Sequence, residues 1–273
     1  MSKHCQIMQR IKKNYESRSR TFLTRRVPII MRLDGKAFHT YTKSLNKPFD
    51  EGLIEDMKET AIYLCQNIQG AKCAYVQSDE ISILITDYDT LQTEAWFDYN
   101  VQKMTSIAAS LATAKFNQLR IKRHLKNWCK NYNTESINIL NVEATIEFGI
   151  KLANFDSRVF NIPKEEVANY FLARQKDAVK NSISMLAQSL YSPKELHGKN
   201  GNEMQEMCFQ KEHNWNDLHF SKKRGNFIVK NLYVNGELTN HNFTQHKDTV
   251  IRHKWEGIET PFVFSETNFE KYL

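Results

Sequence analysis

The 273-residue sequence contains no run of eighteen apolar residues, whereas a membrane-spanning helix needs about 20 of them. We therefore expect no membrane span and no membrane partner. The N-terminal segment also lacks the apolar stretch on which a secretory signal depends, so we expect no export by that route.

Cysteine is scarce and scattered. The sequence has no CxxC pair and no zinc-ligand spacing, and its five cysteines are Cys5, Cys65, Cys73, Cys129 and Cys208. An odd number of cysteines without a secretory signal predicts reduced thiols in a cytosol-like compartment. Together with the missing membrane span, this pattern predicts a soluble cytoplasmic protein.

The common nucleotide-binding signatures are absent as well. The sequence has neither a GxxxxGK[ST] loop nor a GxGxxG motif, and it shows no internal repeat or low-complexity stretch. Any phosphate-binding site must therefore be built from other residues.

The composition is that of a folded protein with a basic excess. Hydrophobic residues make up 41% of the chain and aromatic residues 11%, which is enough for a buried core, and charges of both signs are mixed. The formal net charge is +7 and the pI is about 9.0. This excess favours a polyanionic partner such as RNA, DNA or an anionic membrane surface, but only where the charges cluster near other signals.

The first half of the sequence alternates strand and helix patterns after a polar, helical lead-in of about 25 residues with a basic face. The branched apolar run Val27–Gly35 predicts a buried strand. A helix is predicted over Phe49–Gln69, with Asp50 as its N-cap. Two strands are then predicted over Ala71–Gln77 and Ile81–Asp87, joined by a tight turn.

The next segments complete the pattern of a known architecture. A helix over Asp98–Arg120 and a strand over Val142–Leu152 give the order strand, helix, strand, strand, helix, strand. This order predicts an α+β fold, a palm-like, ferredoxin-like antiparallel sheet with helices on one face. A long helix over Lys164–Leu190 and strands over Phe227–Val234 and Thr249–Trp255 form a C-terminal helical and β region. We expect a domain boundary near residues 152–156, with domains at residues 1–152 and 153–273.

Carboxylates follow two neighbouring strands of the predicted sheet. Asp34 ends the first strand, whereas Asp79 and Glu80 lie in the turn of the hairpin. Converging carboxylates repel one another unless cations lie between them, and Mg²⁺ prefers one or two carboxylates with phosphate oxygens and water. Two such ions can promote phosphoryl or nucleotidyl transfer. The alternative is an ordinary Asp-Gly turn and a solvated Ser-Asp-Glu tip, and the pattern alone leaves both open.

A turn that can bind phosphate follows Asp34 directly. A glycine in a tight turn can direct successive backbone N–H groups into one concavity, and here the turn is Gly35, Lys36, Ala37, Phe38 and His39. Lys36 and Lys43 could add positive charge, and Phe38 either packs under a base or fills the core.

Four segments of the sequence resemble the tRNA-histidine guanylyltransferase family, including its guanylyltransferase-like branch. MRLDGKAFH (Met31–His39) and QSDEISILI (Gln77–Ile85) are similar to the two metal motifs of that family. The resemblance continues through RQKDAVKNSISMLAQ (Arg174–Gln188) and KELHGKNGNEMQEM (Lys194–Met207), in the expected order. It covers most of the chain from about Arg10 to Met207.

This resemblance implies a palm-like nucleotidyltransferase that works in the 3′–5′ direction. It implies that ATP or GTP activates the 5′ monophosphate of a tRNA, and that the 3′ hydroxyl of an incoming nucleotide then attacks the activated end. It also implies two Mg²⁺ ions held by Asp34, Asp79 and the backbone carbonyl of Gly35. Glu80 matches an acidic position with a supporting catalytic role.

The resemblance also suggests where the nucleotide lies. The turn from Gly35 to His39 is expected to hold the triphosphate, with Ser78 nearby. Further candidates for phosphate or nucleotide contacts are Arg32, Lys43, Asp177 and Asn181.

One departure from the family pattern bears on the substrate. Enzymes dedicated to tRNA-histidine carry His-Ile-Asn-Asn on the long helix, where this sequence has Val179-Lys180-Asn181-Ser182. The departure favours the guanylyltransferase-like branch, with templated repair of tRNA 5′ ends. The alternative is a dedicated enzyme that adds guanosine at position −1.

Basic residues in two segments are candidates for contacts with the tRNA acceptor stem, because duplex RNA is recognised mainly through its shape and phosphates. They are Arg120, Lys122, Arg123, Lys126, Lys130, Lys222, Lys223 and Arg224. Solvated loop faces are the alternative for each group. By resemblance, we also expect a homotetramer.

Two other functions fit parts of the pattern. A nucleotide cyclase could share the palm but would not need RNA or the basic charge. A catalytically silent RNA-binding module would not need the converging carboxylates at Asp34 and Asp79.

Overall fold

A single sheet organises the molecule. The computed structural model describes residues 3–131, 151–234, 237–239, 251–258 and 262–272. Within these ranges seven strands pair, each antiparallel to its neighbours, in the order β4-β1-β3-β2-β5-β6, and β7 also pairs with β5. The strands are β1 (Ile29–Gly35), β2 (Ala71–Gln77), β3 (Glu80–Ile85), β4 (Phe155–Asn161), β5 (Asn226–Val234), β6 (Glu237–Thr239) and β7 (Ile251–Gly257).

Helices connect and cover these strands. The α-helices in the described ranges are α1 (Lys3–Ile11), α2 (Phe38–Tyr41), α3 (Glu51–Asn67), α4 (Val101–Asn131), α5 (Lys164–Leu190), α6 (Pro193–Leu196), α7 (Gly201–Gln210), α8 (Phe220–Arg224) and α9 (Glu266–Phe269). A π-helical turn, Lys12–Glu16, continues α1. Short 3₁₀ turns in the described ranges cover Thr42–Ser44, Trp96–Tyr99, Trp215–Asp217 and Glu270–Tyr272. None of the described helices is both long enough and apolar enough to cross a bilayer.

Alternation along β1 divides the core between the two faces of the sheet. Ile29, Met31 and Leu33 pack with side chains of α3 and α4 on one face. Ile30 packs on the other face with Val167 and other side chains of α5. Side chains of a strand alternate between faces, so β1 is buried on both sides and anchors the site that follows it.

The predicted palm-like α+β fold is confirmed. The order of β4-β1-β3-β2 is that of a ferredoxin-like sheet, and α3 and α4 both lie on one face, as expected. The long C-terminal helix α5 covers the opposite face. Asp50 caps α3 as predicted, because its carboxylate accepts a hydrogen bond from the amide N–H of Leu53 at 2.7 Å.

One strand that pairs with β1 was not predicted from the sequence. The predicted strand Val142–Leu152 falls outside the described residues up to position 150, and residues 151–152 are not in a strand. The strand that pairs with β1 is Phe155–Asn161. Because β4 is an edge strand, its exposed Asp156 and Arg158 interrupt the apolar pattern that would have revealed it.

The basic loop predicted after residue 120 is also a helix. Helix α4 continues to Asn131, and Arg120 and Arg123 lie one turn apart on it. Both bind the buried carboxylate of Asp56 on α3, at 3.1 and 2.7 Å. This interhelical ion pair explains why the helix extends beyond its predicted end.

Strands from both sides of the expected domain boundary belong to one sheet. β4 and β5 both follow residue 152, yet β4 pairs with β1 and β5 pairs with β2. The division into domains at residues 1–152 and 153–273 stays a prediction.

Candidate active site

Asp34 and Asp79 meet at one end of the sheet. The antiparallel pairing of β1 and β3 places Asp34 opposite Glu80, the residue that follows Asp79. The backbone N–H of Gly35 donates a hydrogen bond to the carbonyl of Asp79 at 3.2 Å. This bond ties the end of β1 to the β2–β3 turn and brings together two carboxylates that are far apart in the sequence.

The electrostatic environment of Asp79 differs from that of a surface aspartate. Burial raises the pKa of Asp79, and the negative charges of Asp34 and Glu80 raise it further. Asp34 itself is half-exposed and faces the same end of the sheet. A cation between the two carboxylates would remove the repulsion and favour the ionised form of both.

The donor set at this position fits magnesium. In the described residues, no group of three or more His, Cys, Asp or Glu side chains is arranged around a common metal position. Two carboxylates suffice for Mg²⁺ when phosphate oxygens of a substrate and water complete its coordination. Burial, and then the charge of Asp34, raise the pKa of Asp79, and a cation would offset both effects. Asp34, Asp79 and the Gly35 carbonyl are the residues that would hold the ion.

Glu80 has partners of its own. Its side chain is buried, and Arg174 of α5 binds both carboxylate oxygens, at 2.8 and 2.6 Å. Arg32 of β1 reaches the same carboxylate at 2.7 Å, and the hydroxyl of Ser82 donates to it at 3.2 Å. These contacts occupy the lone pairs of Glu80, so its surroundings favour a structural role over the predicted catalytic one.

The Glu80 cluster consists of Glu80, Arg32, Arg174 and Ser82. Two arginines link it to Asp34. Arg32 lies 3.8 Å from the carboxylate of Asp34, and Arg158 of β4 lies 4.0 Å from it. Arg158 also binds Asp156 at 3.1 Å. Sequence reasoning missed Arg158 because it overlooked β4, although the register of β1 with β4 puts Arg158 directly opposite Arg32.

The turn after Asp34 is shaped by a close contact between Gly35 and Phe38. A Cβ atom on Gly35 would lie 2.2 Å from the Phe38 ring. Phe38 is buried and its ring packs against Tyr41, Phe116 and Phe155. Of the two predicted roles for this side chain, the structure supports the core role, and only the backbone of Phe38 faces the turn.

Three backbone amides of this turn are available to a ligand. Ala37 has a left-handed backbone with a φ of 54°, which reverses the chain before α2. The N–H of Lys36 donates to the Asn154 carbonyl at 2.8 Å. Among the residues that the structure describes, the N–H groups of Ala37, Phe38 and His39 have no acceptor. Such successive free amides form a concavity suited to phosphate.

Substitution of Gly35 by alanine tests this geometry. The added methyl group must displace the Phe38 ring, so we expect a loss of about 1–3 kcal/mol of unfolding free energy, as for other overpacked sites, and a lower kcat/KM. Gly201→Ala is the matched control, because a Cβ there meets no atom within 4 Å. Chemical denaturation measures the unfolding free energy of both variants, and equal values would contradict the tight contact between Gly35 and Phe38.

The remaining nucleotide candidates lie in three places. Lys36, His39 and Lys43 are exposed around the turn. Ser78 and Asn181 line a common cleft between the β2–β3 turn and α5. Asp177 lies one turn before Asn181 and binds Arg174 at 2.9 Å, so it contacts the Glu80 cluster instead of this cleft.

Several of the basic residues predicted to contact RNA are engaged within the protein. Besides Arg120 and Arg123, Lys222 of α8 binds Glu51 at the start of α3. Lys223 donates to the carbonyl of Asn216 at 2.6 Å. The ion pairs of Arg120, Arg123 and Lys222 reduce the charge that these residues can offer to a phosphate, and the bond of Lys223 holds its ammonium group against the protein.

The other predicted RNA contacts differ in their exposure. Lys122 and Lys126 are exposed on α4, and Arg224 is half-buried at the end of α8. The side chain of Lys130 lies outside the described residues. An RNA contact by any of them stays a prediction.

The structure combines an antiparallel palm-like sheet, two carboxylates at its end and a turn with free amides beside them. This combination is typical of palm-type nucleotidyltransferases. The chain belongs to the tRNA(His) guanylyltransferase family, because the sequence model of that family matches residues 8–163. It is therefore a nucleotidyltransferase of the tRNA guanylyltransferase family.

Solved structures agree with this assignment. A bacterial tRNA(His) guanylyltransferase-like protein in complex with ATP is 40% identical, with a TM-score of 0.75 and 97% of both chains covered. Its complex with GTP gives a TM-score of 0.71, with 98% of this chain and 97% of that chain covered. The tRNA(His) guanylyltransferase of Saccharomyces cerevisiae shares the fold at 22% identity, with a TM-score of 0.59 and 86% and 96% of the two chains covered.

Proposed function

We propose that this protein adds nucleotides to the 5′ end of tRNA in the 3′–5′ direction, and that it repairs truncated 5′ ends using the opposite strand as template. The observation that carries the proposal is the hydrogen bond from Gly35 to Asp79, which joins two carboxylates to a turn with free amides. A metal pair beside a phosphate site is the arrangement that phosphoryl and nucleotidyl transfer require.

In this proposal each part of the site has one task. The amides of Ala37, Phe38 and His39 hold the triphosphate, and the exposed Lys36 and Lys43 add charge. Asp34, Asp79 and the Gly35 carbonyl would hold two Mg²⁺ ions, which when bound neutralise the reacting phosphates and activate the attacking oxygen. Glu80 keeps Arg32 and Arg174 in place behind them.

The nucleotide substrates are ATP and GTP. The bacterial relative that is 40% identical was solved with each of them. The cleft lined by Ser78 and Asn181 opens beside Asp79 and offers an amide and a hydroxyl to a nucleotide. We infer that activation of the 5′ monophosphate uses either nucleotide, and that the incoming nucleotide is chosen by the template.

The long helix supports the repair activity over a dedicated one. Asn181 lines the cleft, but the next position is a buried serine whose hydroxyl accepts a hydrogen bond from Trp215 at 3.0 Å. The hydroxyl of Ser182 also donates to the Val179 carbonyl at 2.8 Å. Ser182 therefore serves helix packing, and the His-Ile-Asn-Asn surface of dedicated enzymes is not present. Addition of guanosine at position −1 of tRNA-histidine is the second candidate.

The setting of this activity follows from its substrate. Immature and damaged tRNAs are intracellular, which places the proposed activity in the cytoplasm. A homotetramer is part of the proposal by resemblance to the family.

The test offers 5′-truncated tRNAs with varied template bases, together with all four nucleoside triphosphates and Mg²⁺. We expect each added nucleotide to be complementary to the opposite base, and we expect no reaction without RNA. Guanosine added whatever the opposite base would support the dedicated activity instead. A cyclic nucleotide formed without RNA would overturn the proposal.

A further inference from the structure

The positive charge of this protein is concentrated at its N-terminus. Residues 1–26 contain one acidic residue, Glu16, and eight basic residues: Lys3, Arg10, Lys12, Lys13, Arg18, Arg20, Arg25 and Arg26. Their net charge of +7 equals the formal charge of the whole chain. Residues 27–273 therefore carry 30 basic and 30 acidic residues and are neutral as a whole.

We call residues 3–26 the N-terminal arm. It comprises α1, the π turn Lys12–Glu16 and the chain that leads to β1. No side chain of α1 belongs to any of the three core clusters in the described part of the chain, and Ile7 and Met8 are 50% and 57% exposed. Leu23, near the end of the arm, packs against the core, whereas the described residues of α1 and the π turn lie on the surface of the protein.

Most of the described cations of the arm have no acidic partner. Arg25 is the exception, because it binds Asp87 at 2.7 Å and fixes the end of the arm to the body. Within the described residues, six exposed basic side chains of the arm form no ion pair: Arg10, Lys12, Lys13, Arg18, Arg20 and Arg26. Unpaired like charges repel one another, so this concentration is costly unless an anion is bound to it.

Several basic residues of the body do have acidic partners. Arg120 and Arg123 are paired with Asp50 and Asp56, Arg174 with Glu80, and Lys222 with Glu51. The segments that the sequence singled out for RNA contact therefore carry less free charge than the arm does.

We propose that the N-terminal arm is the main electrostatic contact for the RNA backbone. This inference rests on the proposed function, because it takes RNA as the polyanion. Six free cations along one exposed segment suit the regular spacing of backbone phosphates, and such contacts supply affinity that is independent of sequence. The arm lies outside the palm, so it affects RNA binding and leaves the chemical step unchanged.

The test neutralises four cations of the arm in one variant, Arg10→Gln, Lys12→Gln, Lys13→Gln and Arg18→Gln. The apolar side chains of α1 remain, so helix formation and any contact they make are preserved. The control variant removes the same charge from four exposed lysines of the body that are not candidate RNA contacts, Lys164→Gln, Lys176→Gln, Lys194→Gln and Lys230→Gln. Binding of a 5′-truncated tRNA is followed by fluorescence anisotropy between 50 and 200 mM KCl, chosen as roughly the range over which phosphate contacts are lost.

For the arm variant we expect a Kd at least about tenfold weaker and a salt-dependence slope smaller by about 3, since each lost phosphate contact lowers the slope by about 0.7–0.9. KM for tRNA should rise while kcat at saturating tRNA stays unchanged. The control variant should lose clearly less affinity. Equal losses in the two variants, or wild-type binding by the arm variant, would overturn the inference.

Three outcomes separate the alternatives. If the wild-type protein binds no tRNA and adds no nucleotide, the proposed function fails. If the arm variant binds and extends tRNA like the wild type, only the inference about the arm fails. If the arm variant loses binding to phosphatidylserine vesicles but keeps the tRNA affinity of the wild type, the arm contacts a lipid surface and the inference is overturned.

Discussion

The Asp79→Asn variant is expected to lose nucleotide addition while folding at least as stably as the wild type. The side chain keeps its size but can no longer provide a negatively charged ligand. Metal ions stabilise the transition state of phosphoryl transfer by several kcal/mol, and each 1.36 kcal/mol is tenfold in rate. We therefore expect kcat to fall by at least about a hundredfold, measured as labelled nucleotide added to a truncated tRNA.

The direction of the stability change in Asp79→Asn can also be predicted. Burial raises the pKa of Asp79, and repulsion from Asp34 raises it further, so the folded chain disfavours the ionised form. Ionisation at neutral pH therefore costs stability, and this cost is present above the ordinary aspartate pKa and vanishes as the pH falls below it. In EDTA, Tm of the variant should exceed that of the wild type at pH 7, and the difference should shrink as the pH approaches about 4.

A matched control is available on the surface. Asp89 is an exposed aspartate bound to Lys72, and Asp89→Asn should retain activity and lack the gain in Tm. An Asp79→Asn variant that remains fully active would remove Asp79 from the metal site. A variant that is inactive because it is unfolded would contradict the assigned electrostatics.

Glu80→Ala is expected to cause the largest loss of stability. It removes the buried carboxylate that Arg32 and Arg174 share. These side chains are 25% and 20% exposed and keep Asp34 at 3.8 Å and Asp177 at 2.9 Å, respectively, as acidic partners. Breaking a buried ion pair by removing one partner costs about 3–5 kcal/mol. Because both arginines retain some contact with water, we expect about 3 kcal/mol in a denaturant titration.

Three comparisons make this result specific. Glu94 is exposed, so Glu94→Ala should change the unfolding free energy by less than about 0.5 kcal/mol. Glu80→Gln keeps an acceptor for the arginines and should lie between Glu80→Ala and the wild type. Arg174→Ala leaves Glu80 paired with Arg32 and should cost less than Glu80→Ala. A Glu80→Ala variant as stable as the wild type would show that the carboxylate is free for another role.

The fold could be predicted from strands and helices whose patterns are strong. β2 and α5 have the predicted bounds, and Asp50 caps α3 as expected. The strand β4 could not be found in this way, since an edge strand exposes one of its faces and breaks the apolar alternation. The end of α4 was misplaced because the partner of Arg120 and Arg123 is Asp56, a residue more than 60 positions earlier in the sequence.

The site could be predicted as far as strand order determines it. The convergence of Asp34 and Asp79 follows from the neighbouring positions of β1 and the hairpin in a ferredoxin-like sheet. The different surroundings of Asp79 and Glu80 could not be predicted, because nothing in the sequence shows that Arg174 pairs with Glu80 and not with its neighbour. Likewise, the charge of the basic segments at residues 120–130 and 222–224 was visible, but their acidic partners on α3 were not.

Binding of Mn²⁺ measured by electron paramagnetic resonance tests the central claim most directly, because it separates metal binding from catalysis. The titration is made in the presence of GTP with the wild type, the Asp34→Asn/Asp79→Asn double variant and Glu80→Gln. We predict two bound Mn²⁺ ions per chain in the wild type and in Glu80→Gln, and none held tightly by the double variant. Two tightly bound ions in the double variant, or their loss in Glu80→Gln, would contradict the assignment of Asp34 and Asp79 as the metal ligands.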